Sequence, residues 1–289
     1  MRTLRNADVA MGVRVVRVQD VIDAVLGAYP ASLAEEWDTG IGLTCGDPDG
    51  VVYGVLLAVD AAEATVDEAV RIDADLLLTH HPLLFRPVQS VAEHTAKGAL
   101  ISRLILAGVA HFAAHTNADA GIGGVNDALA AALGLSELRP LVPSAAGAAT
   151  GSGRVGRLPA PMRLRDFTAH VGARLPATVS GVRAAGAADR PVSTVAVCGG
   201  AGDSLLPAAA AAGADVFVTS DLRHHVVAEF VADPARPAVV DVAHWAGEWP
   251  WLAAAAAVLE STFPDLPVTV SGTRTDPWTV HASSRPADG

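Results

Sequence analysis

Short apolar runs alternate with amphipathic segments along most of the chain, and this alternation predicts strands separated by helices. The runs have the continuous apolar character of strands buried on both faces, whereas the segments between them repeat apolar positions at helical spacing. In the first half the predicted strands are 52–59, 75–79 and 109–114, and the predicted helices are 18–29, 64–72, 95–107 and 125–133. In the second half the predicted strands are 192–197, 215–219, 238–242 and 266–270, and the predicted helices are 163–175, 204–212, 225–231 and 248–259.

The pattern is weakest over 144–153, a stretch rich in Ala, Gly and Ser that is typical of a linker. It separates two predicted domains, residues 1–143 and residues 154–289. Strands and helices alternate on both sides of it, which predicts two α/β domains with mixed or mostly parallel sheets. A length of 289 residues suits two such domains.

Composition narrows the classes of protein to which the chain could belong. Hydrophobic residues make up 51% and charged residues 18%, which is globular composition and excludes a disordered chain. The net charge of −11 disfavours nucleic-acid binding, because contact with a phosphate backbone needs a basic face. No apolar run approaches the roughly 20 residues of a membrane span. Arginines occur early, but no apolar stretch follows them, so we expect no signal peptide and a cytoplasmic protein; they are Arg2, Arg5, Arg14 and Arg17.

Histidines and acidic residues follow three of the predicted strands. The motifs are Thr79-His80-His81-Pro82, His115-Thr116-Asn117-Ala118-Asp119 and His244-Trp245-Ala246-Gly247-Glu248. The carboxyl ends of strands meet at the ligand crevice in open α/β sheets, so these segments could bring their side chains together. We expect the site to lie between the two domains, or else the last segment of the chain to pack back onto the first domain.

The chemistry of this set indicates divalent metal ions. The candidate ligands are His80, His81, Asp119, His244 and Glu248. Imidazole and carboxylate without thiolate suit Zn, Fe, Mn, Co or Ni and do not distinguish among them. Five ligands exceed the three that a single catalytic zinc takes from a protein, so two ions about 3.5–4 Å apart are expected. Asp60 and His115 are candidates for holding the ligands in place or for acid–base catalysis.

Each motif also has an ordinary structural interpretation. A His-His pair at a strand end can be part of a loop, and Asp119 can cap the next helix. His224 and His225 follow Asp221, which could cap their helix, and we assign them no role. The loop 199–204 could hold a phosphate or could be a tight turn.

The motifs together resemble those of the GTP cyclohydrolase 1 type 2 homolog family, dinuclear-metal proteins related to the yeast NGG-interacting factor. The resemblance runs nearly end to end, and it includes Glu36-Trp37-Asp38, Thr79-His80-His81-Pro82-Leu83, His115 to Asp119, Thr219-Ser220-Asp221 and Asp241 to Glu248. Ser220 and Ala243 stand where the family usually has Gly. The resemblance implies the same five metal ligands, with Glu248 bridging two ions. It also implies a toroidal homohexamer of two-domain chains.

Two functions from different classes follow. The first is a metal-dependent hydrolase that acts on a nucleotide or another phosphate-bearing, anionic small molecule, with Asp60 or His115 moving a proton. The second is a non-catalytic metal-binding oligomeric scaffold or regulatory interaction protein. Titratable residues beyond the five ligands favour catalysis, since a storage site does not need them.

Overall fold

In a computed structural model the protein is described over residues 15–145 and 147–282. Residues 1–14, which include Arg2, Arg5 and Arg14, lie outside the described ranges. The expectation that the chain has no signal peptide depends on these residues and stays a prediction. The described chain divides into two compact units, and each contains one β-sheet. The first unit comprises residues 15–128, 142–152 and 249–275, and the second comprises residues 129–141, 153–248 and 276–282. Over the described ranges, no helix is both long enough and apolar enough to cross a membrane.

The first unit contains a five-stranded sheet in the order β1-β4-β3-β2-β11. These strands are β1 (Gly42–Cys45), β2 (Val55–Ala58), β3 (Leu76–Thr79), β4 (Ala110–Ala113) and β11 (Val268–Val270). β11, β2, β3 and β4 run parallel, and β1 pairs antiparallel with β4. Every residue of β2, β3 and β4 is buried, which is why these strands appear in the sequence as continuous apolar runs.

Six helices of more than one turn surround or follow this sheet. They are α1 (Val18–Ala28), α2 (Glu63–Arg71), α3 (Ala96–Ala107), α4 (Thr116–Ala120), α5 (Val125–Ala132), whose last residues belong to the second unit, and α10 (Trp251–Thr262). α2 packs against α3, and their apolar residues join those of the sheet in one core. α3 begins after Thr95, whose hydroxyl accepts from Gly98 N, and ends at Gly108 in the left-handed conformation. α10 packs on α1 and β11.

The second unit contains a six-stranded sheet in the order β5-β6-β8-β9-β10-β7. Its strands are β5 (Ser136–Pro143), β6 (Gly151–Arg163), β7 (Arg183–Ala185), β8 (Pro191–Ala201), β9 (Val216–Ser220) and β10 (Ala238–Asp241). β8, β9 and β10 are parallel, whereas β6 and β7 pair antiparallel with β8 and β10. Its helices are α6 (Leu164–Arg174), α7 (Leu206–Ala211), α8 (His224–Val231) and α9 (His244–Glu248). The mixed, mostly parallel α/β class expected from the sequence is confirmed.

The residues expected to form a linker include the start of a long strand. Ser144 N donates to Thr150 O, and β6 begins one residue later at Gly151. The buried positions at this end of β6 include Gly151, Gly153 and Arg154, rather than the aliphatic residues of an ordinary strand. Hydropathy therefore could not reveal β6. Gly151 and Gly153 both have positive φ, a conformation in which a side chain would be strained.

The helix expected over 248–259 is two helices. α9 ends at Glu248, and Pro250 precedes α10 as its N-terminal cap residue. Proline fits the start of a helix but lacks the N–H that a helix interior needs, which explains the break. The segment after Trp249 supplies α10 and the edge strand β11 of the first unit.

Candidate metal centre

Three histidines of the first unit meet at the carboxyl ends of neighbouring parallel strands. His80 and His81 follow β3 directly, and His115 follows β4 and precedes α4. One ring nitrogen from each lies within 4.8 Å of the other two. His80 and His115 are buried, and His81 is partly buried. These buried groups could hold a metal ion.

An oxygen atom contacts Nδ1 of each of these rings. His80 Nδ1 lies 3.0 Å from Ala114 O, and His81 Nδ1 lies 2.7 Å from Asp60 Oδ1. His115 Nδ1 lies 2.9 Å from Asp38 Oδ2. Because carbonyl and carboxylate oxygens only accept, each ring is placed to donate from Nδ1, which leaves the lone pair on Nε2. Metal-binding histidines in proteins are oriented in this way.

The two carboxylates at these rings are themselves held. Asp60 Oδ2 accepts from the Thr275 hydroxyl. Asp38 Oδ2 accepts from the Thr116 hydroxyl at 2.6 Å and from Thr116 N at 3.2 Å. Burial raises the pKa of Asp38, but the hydrogen bonds from Thr116 and the neighbouring His115 outweigh burial, so the net shift is downward. Both carboxylates are suited to fix the imidazoles beside them.

Asp38 was not predicted as a residue of the site. In the sequence it was noted only as part of the motif Glu36-Trp37-Asp38. The contact to His115 joins residues 77 positions apart, so no local spacing reveals it. The only signal was a carboxylate in a glycine-punctuated loop.

Asp119 lies inside α4. Its Oδ1 lies 3.7 Å from His80 Nε2, and its side chain is 25% exposed. His115 is the N-cap residue of α4, and Asp119 lies in that helix four residues later. The structure thus brings Asp119 to the His80–His81–His115 cluster.

In the second unit, α9 presents His244 and Glu248 to each other one turn apart. His244 Nε2 lies 3.0 Å from Glu248 Oε1, and Glu248 is buried. His244 Nδ1 contacts Asp221 Oδ2 at 2.6 Å. The charge of Glu248, opposed by burial and aided by Asp221, raises the pKa of His244 to about 11. Without a metal ion, His244 is therefore an imidazolium at neutral pH.

Asp221 is not a helix cap, contrary to the ordinary interpretation above. Arg223 occupies the N-cap position of α8, and Asp221 adopts the left-handed conformation with φ 57°. This conformation places its carboxylate at His244 instead. His224 and His225 begin α8 with their rings 5.1 Å apart. Over the described residues, neither joins a group of three possible metal donors.

Gly200 lies against the His244–Glu248 pair. It has φ 68°, and a Cβ built on it would lie 2.5 Å from Glu248 Oε1 and 3.0 Å from His244 Nε2. β8 continues through this glycine to Ala201, and α7 has only six residues. Gly200 therefore makes room for the His244–Glu248 pair, and the choice between a phosphate-binding loop and a tight turn over 199–204 stays a prediction.

The chain is similar to known proteins over most of its length. The family model Duf34/NIF3 (NGG1p interacting factor 3) matches residues 16–277. A "GTP cyclohydrolase 1 type 2 homolog" of Streptomyces coelicolor is 48% identical, over 93% of this chain and 96% of the relative. A homologue of the same name from Mycobacterium tuberculosis is 38% identical over 93% of this chain and 99% of its own length.

Solved structures give the same result. The crystal structure of a Bacillus cereus protein related to NIF3 matches with a TM-score of 0.83 and 25% identity, over 93% of this chain and 100% of that chain. A Staphylococcus aureus hypothetical protein matches with a TM-score of 0.85 and 26% identity, over the same shares of both chains. By sequence and by fold, this chain belongs to the Duf34/NIF3 family, as its motifs indicated.

Proposed function

We propose that the chain is a dinuclear metal-dependent hydrolase that acts on a nucleotide or a related anionic substrate. The observation that carries the proposal is the cluster of His80, His81 and His115, whose ring nitrogens lie close together and whose Nδ1 atoms each face an oxygen atom, as in histidines that bind metal ions. The name of the two relatives described above, "GTP cyclohydrolase 1 type 2 homolog", supports the substrate class.

We propose that His80, His81, Asp119, His244 and Glu248 hold the pair of ions. His244 and Glu248 are only two ligands, and stable protein sites for such ions take at least three. The first unit supplies more donors than one ion needs, namely His80, His81, His115 and Asp119. Two divalent ions would carry a charge of +4, of which Asp119 and Glu248 would offset −2. Glu248 would contribute its carboxylate to holding the ions.

When bound, a pair of divalent ions supplies a nucleophile at neutral pH and positive charge for the oxygen that becomes negative in the transition state. Asp60 keeps the His81 ring oriented through the bond to Nδ1, and Asp38 does the same for His115. Both oxygens of Asp60 already accept hydrogen bonds, which favours the orienting role over proton transfer.

Self-association into a homohexamer stays part of this proposal. Exposed apolar side chains at the end of α3 support it, because Ile105 and Leu106 are 58% and 81% exposed. Apolar side chains exposed next to each other are typical of interfaces. Light scattering after size exclusion measures the mass of the assembly, and Leu106→Glu should lower it.

The test is turnover by metal-loaded protein. GTP, other nucleotides and simple phosphoesters are incubated with wild type, His81→Ala and the exposed-surface control His94→Ala. We expect turnover by wild type and the control, and loss of at least a hundredfold in His81→Ala. Metal binding without turnover of any of these compounds would contradict the hydrolase and favour the scaffold.

A further inference from the structure

A pair of exposed aromatic side chains stands beside the histidine cluster of the first unit. Trp37 is 60% exposed and Phe85 is 50% exposed, and their ring centroids lie 6.1 Å apart. Both rings also contact His115, with centroid distances of 6.1 Å for Trp37 and 5.8 Å for Phe85. Large aromatic rings are normally buried, so two exposed ones at a candidate site call for a role in binding.

The loop that carries Trp37 is held by bonds on both sides of it. Glu35 N donates to the Thr116 hydroxyl, and Asp38 is tied to His115 and Thr116 as described above. Gly40 N donates to Asp38 Oδ1, and a Cβ on Gly40 would lie 2.6 Å from Pro82 Cγ. The backbone on both sides of Trp37 is therefore held in place, and a ligand would not have to order this loop on binding.

Neither aromatic neighbour stacks on the indole. The ring of Phe85 is inclined by 62° to that of Trp37, and the ring of His115 by 82°. Since Trp37 is also mostly exposed, its ring has room for a planar partner. A flat heteroaromatic ring fits such a surface, because stacking needs only a π face.

We infer that Trp37 and Phe85 form a stacking platform for the planar heteroaromatic ring of a nucleotide, whose phosphate-bearing end then lies at the His80–His81–His115 cluster. The inference rests on the proposed function. It adds that two different groups of residues bind the two ends of the nucleotide. The platform recognises the base, and the metal centre recognises the charge. Trp37 is then a specificity residue, whereas His115 lies between the two parts.

The test compares ligands that share only one part with GTP. Calorimetry and tryptophan fluorescence measure binding of GTP, guanosine and inorganic tripolyphosphate to metal-loaded protein, and binding of guanosine to metal-free protein as well. The variants are Trp37→Leu, Trp37→Phe and Phe85→Leu. Trp278→Leu is the matched control, since Trp278 is 64% exposed and has no part in the platform.

We expect Trp37→Leu to weaken GTP and guanosine binding by about tenfold, to leave tripolyphosphate binding and metal content unchanged, and to recover in part in Trp37→Phe. Phe85→Leu should act in the same direction and Trp278→Leu not at all. Equal loss for GTP and tripolyphosphate, no loss for either, or no guanosine binding by wild type would overturn the platform. A change in oligomeric mass in Trp37→Leu would show that a second copy covers this surface, which also overturns it. The proposed function fails separately, if the same preparations bind no metal or hydrolyse no substrate.

Discussion

If Glu248 binds metal as proposed, replacement of Gly200 by alanine should weaken metal binding through a single methyl group. The new Cβ would lie 2.5 Å from Glu248 Oε1, whereas ordinary contact begins near 3.4 Å. Glu248 is buried and Gly200 is part of β8, so the carboxylate oxygen is the atom that must move, by about 0.9 Å. Distances between a metal ion and its ligand atoms vary by only about 0.2 Å among sites of the same kind. Loss of a residue that orients a ligand lowers metal affinity by about 10–100-fold, and a displacement of about 0.9 Å should lower it by at least as much.

Backbone strain must be separated from this displacement. Gly200 has φ 68°, and a left-handed alanine costs about 1–2 kcal/mol of stability wherever it stands. Gly213 is a matched control, because it has φ 72° in the same unit and nothing within 4 Å of its Cβ position. Gly213→Ala should therefore lose stability alone, while Gly200→Ala loses stability and metal affinity.

The assay is competition for Zn²⁺ against a chromophoric chelator, with thermal unfolding of the metal-free proteins beside it. We expect both variants to unfold at a lower temperature, and only Gly200→Ala to bind Zn²⁺ more weakly. If Gly200→Ala kept wild-type affinity within about threefold, Glu248 would not be a ligand in the geometry described.

Three further outcomes are expected. Asp60→Ala should weaken metal binding by about 10–100-fold because it frees the His81 ring, whereas Asp67→Ala should not, since Asp67 is half-exposed on α2 and pairs with Arg103 instead; chelator competition distinguishes them. Metal binding should release a proton from His244, because the pKa of this side chain is raised to about 11. The logarithm of the apparent metal affinity should therefore rise by about one per pH unit between pH 7 and 9. Calorimetry in two buffers with different heats of ionisation counts the released protons, and a count of zero would contradict this. Burial lowers the pKa of His111 to about 4, so between pH 6.5 and 4 the unfolded chain takes up a proton at this residue while the folded chain does not. The free energy of unfolding should therefore fall by about 2 kcal/mol from pH 7 to 5. Urea denaturation should show a smaller fall in His111→Phe.

Local pattern was sufficient for the elements that place the donors. The apolar runs of β2, β3 and β4 are buried on both faces, so hydropathy located them and, with them, the strand ends at which His80 and His115 stand. The one-turn spacing of His244 and Glu248 likewise predicted a contact that the structure contains.

Contacts between residues far apart in the sequence could not be predicted. Asp38 and Asp221 act on histidines far along the chain, and each carboxylate has a commonplace local interpretation. The strand β6 was not predicted, because glycines and a buried arginine occupy positions where an apolar strand has aliphatic residues. The antiparallel placement of β1 and β7 depends on sheet pairing, which composition does not encode.

Metal content tests the central claim most directly. Elemental analysis of purified wild type beside His80→Ala, Glu248→Ala and the exposed control His94→Ala counts transition-metal ions per chain. The account predicts about two ions in wild type and in the control, with a sharp fall in the two ligand variants. Wild type without metal, and unable to take up Zn²⁺, Fe²⁺, Mn²⁺, Co²⁺ or Ni²⁺ when they are added, would contradict it.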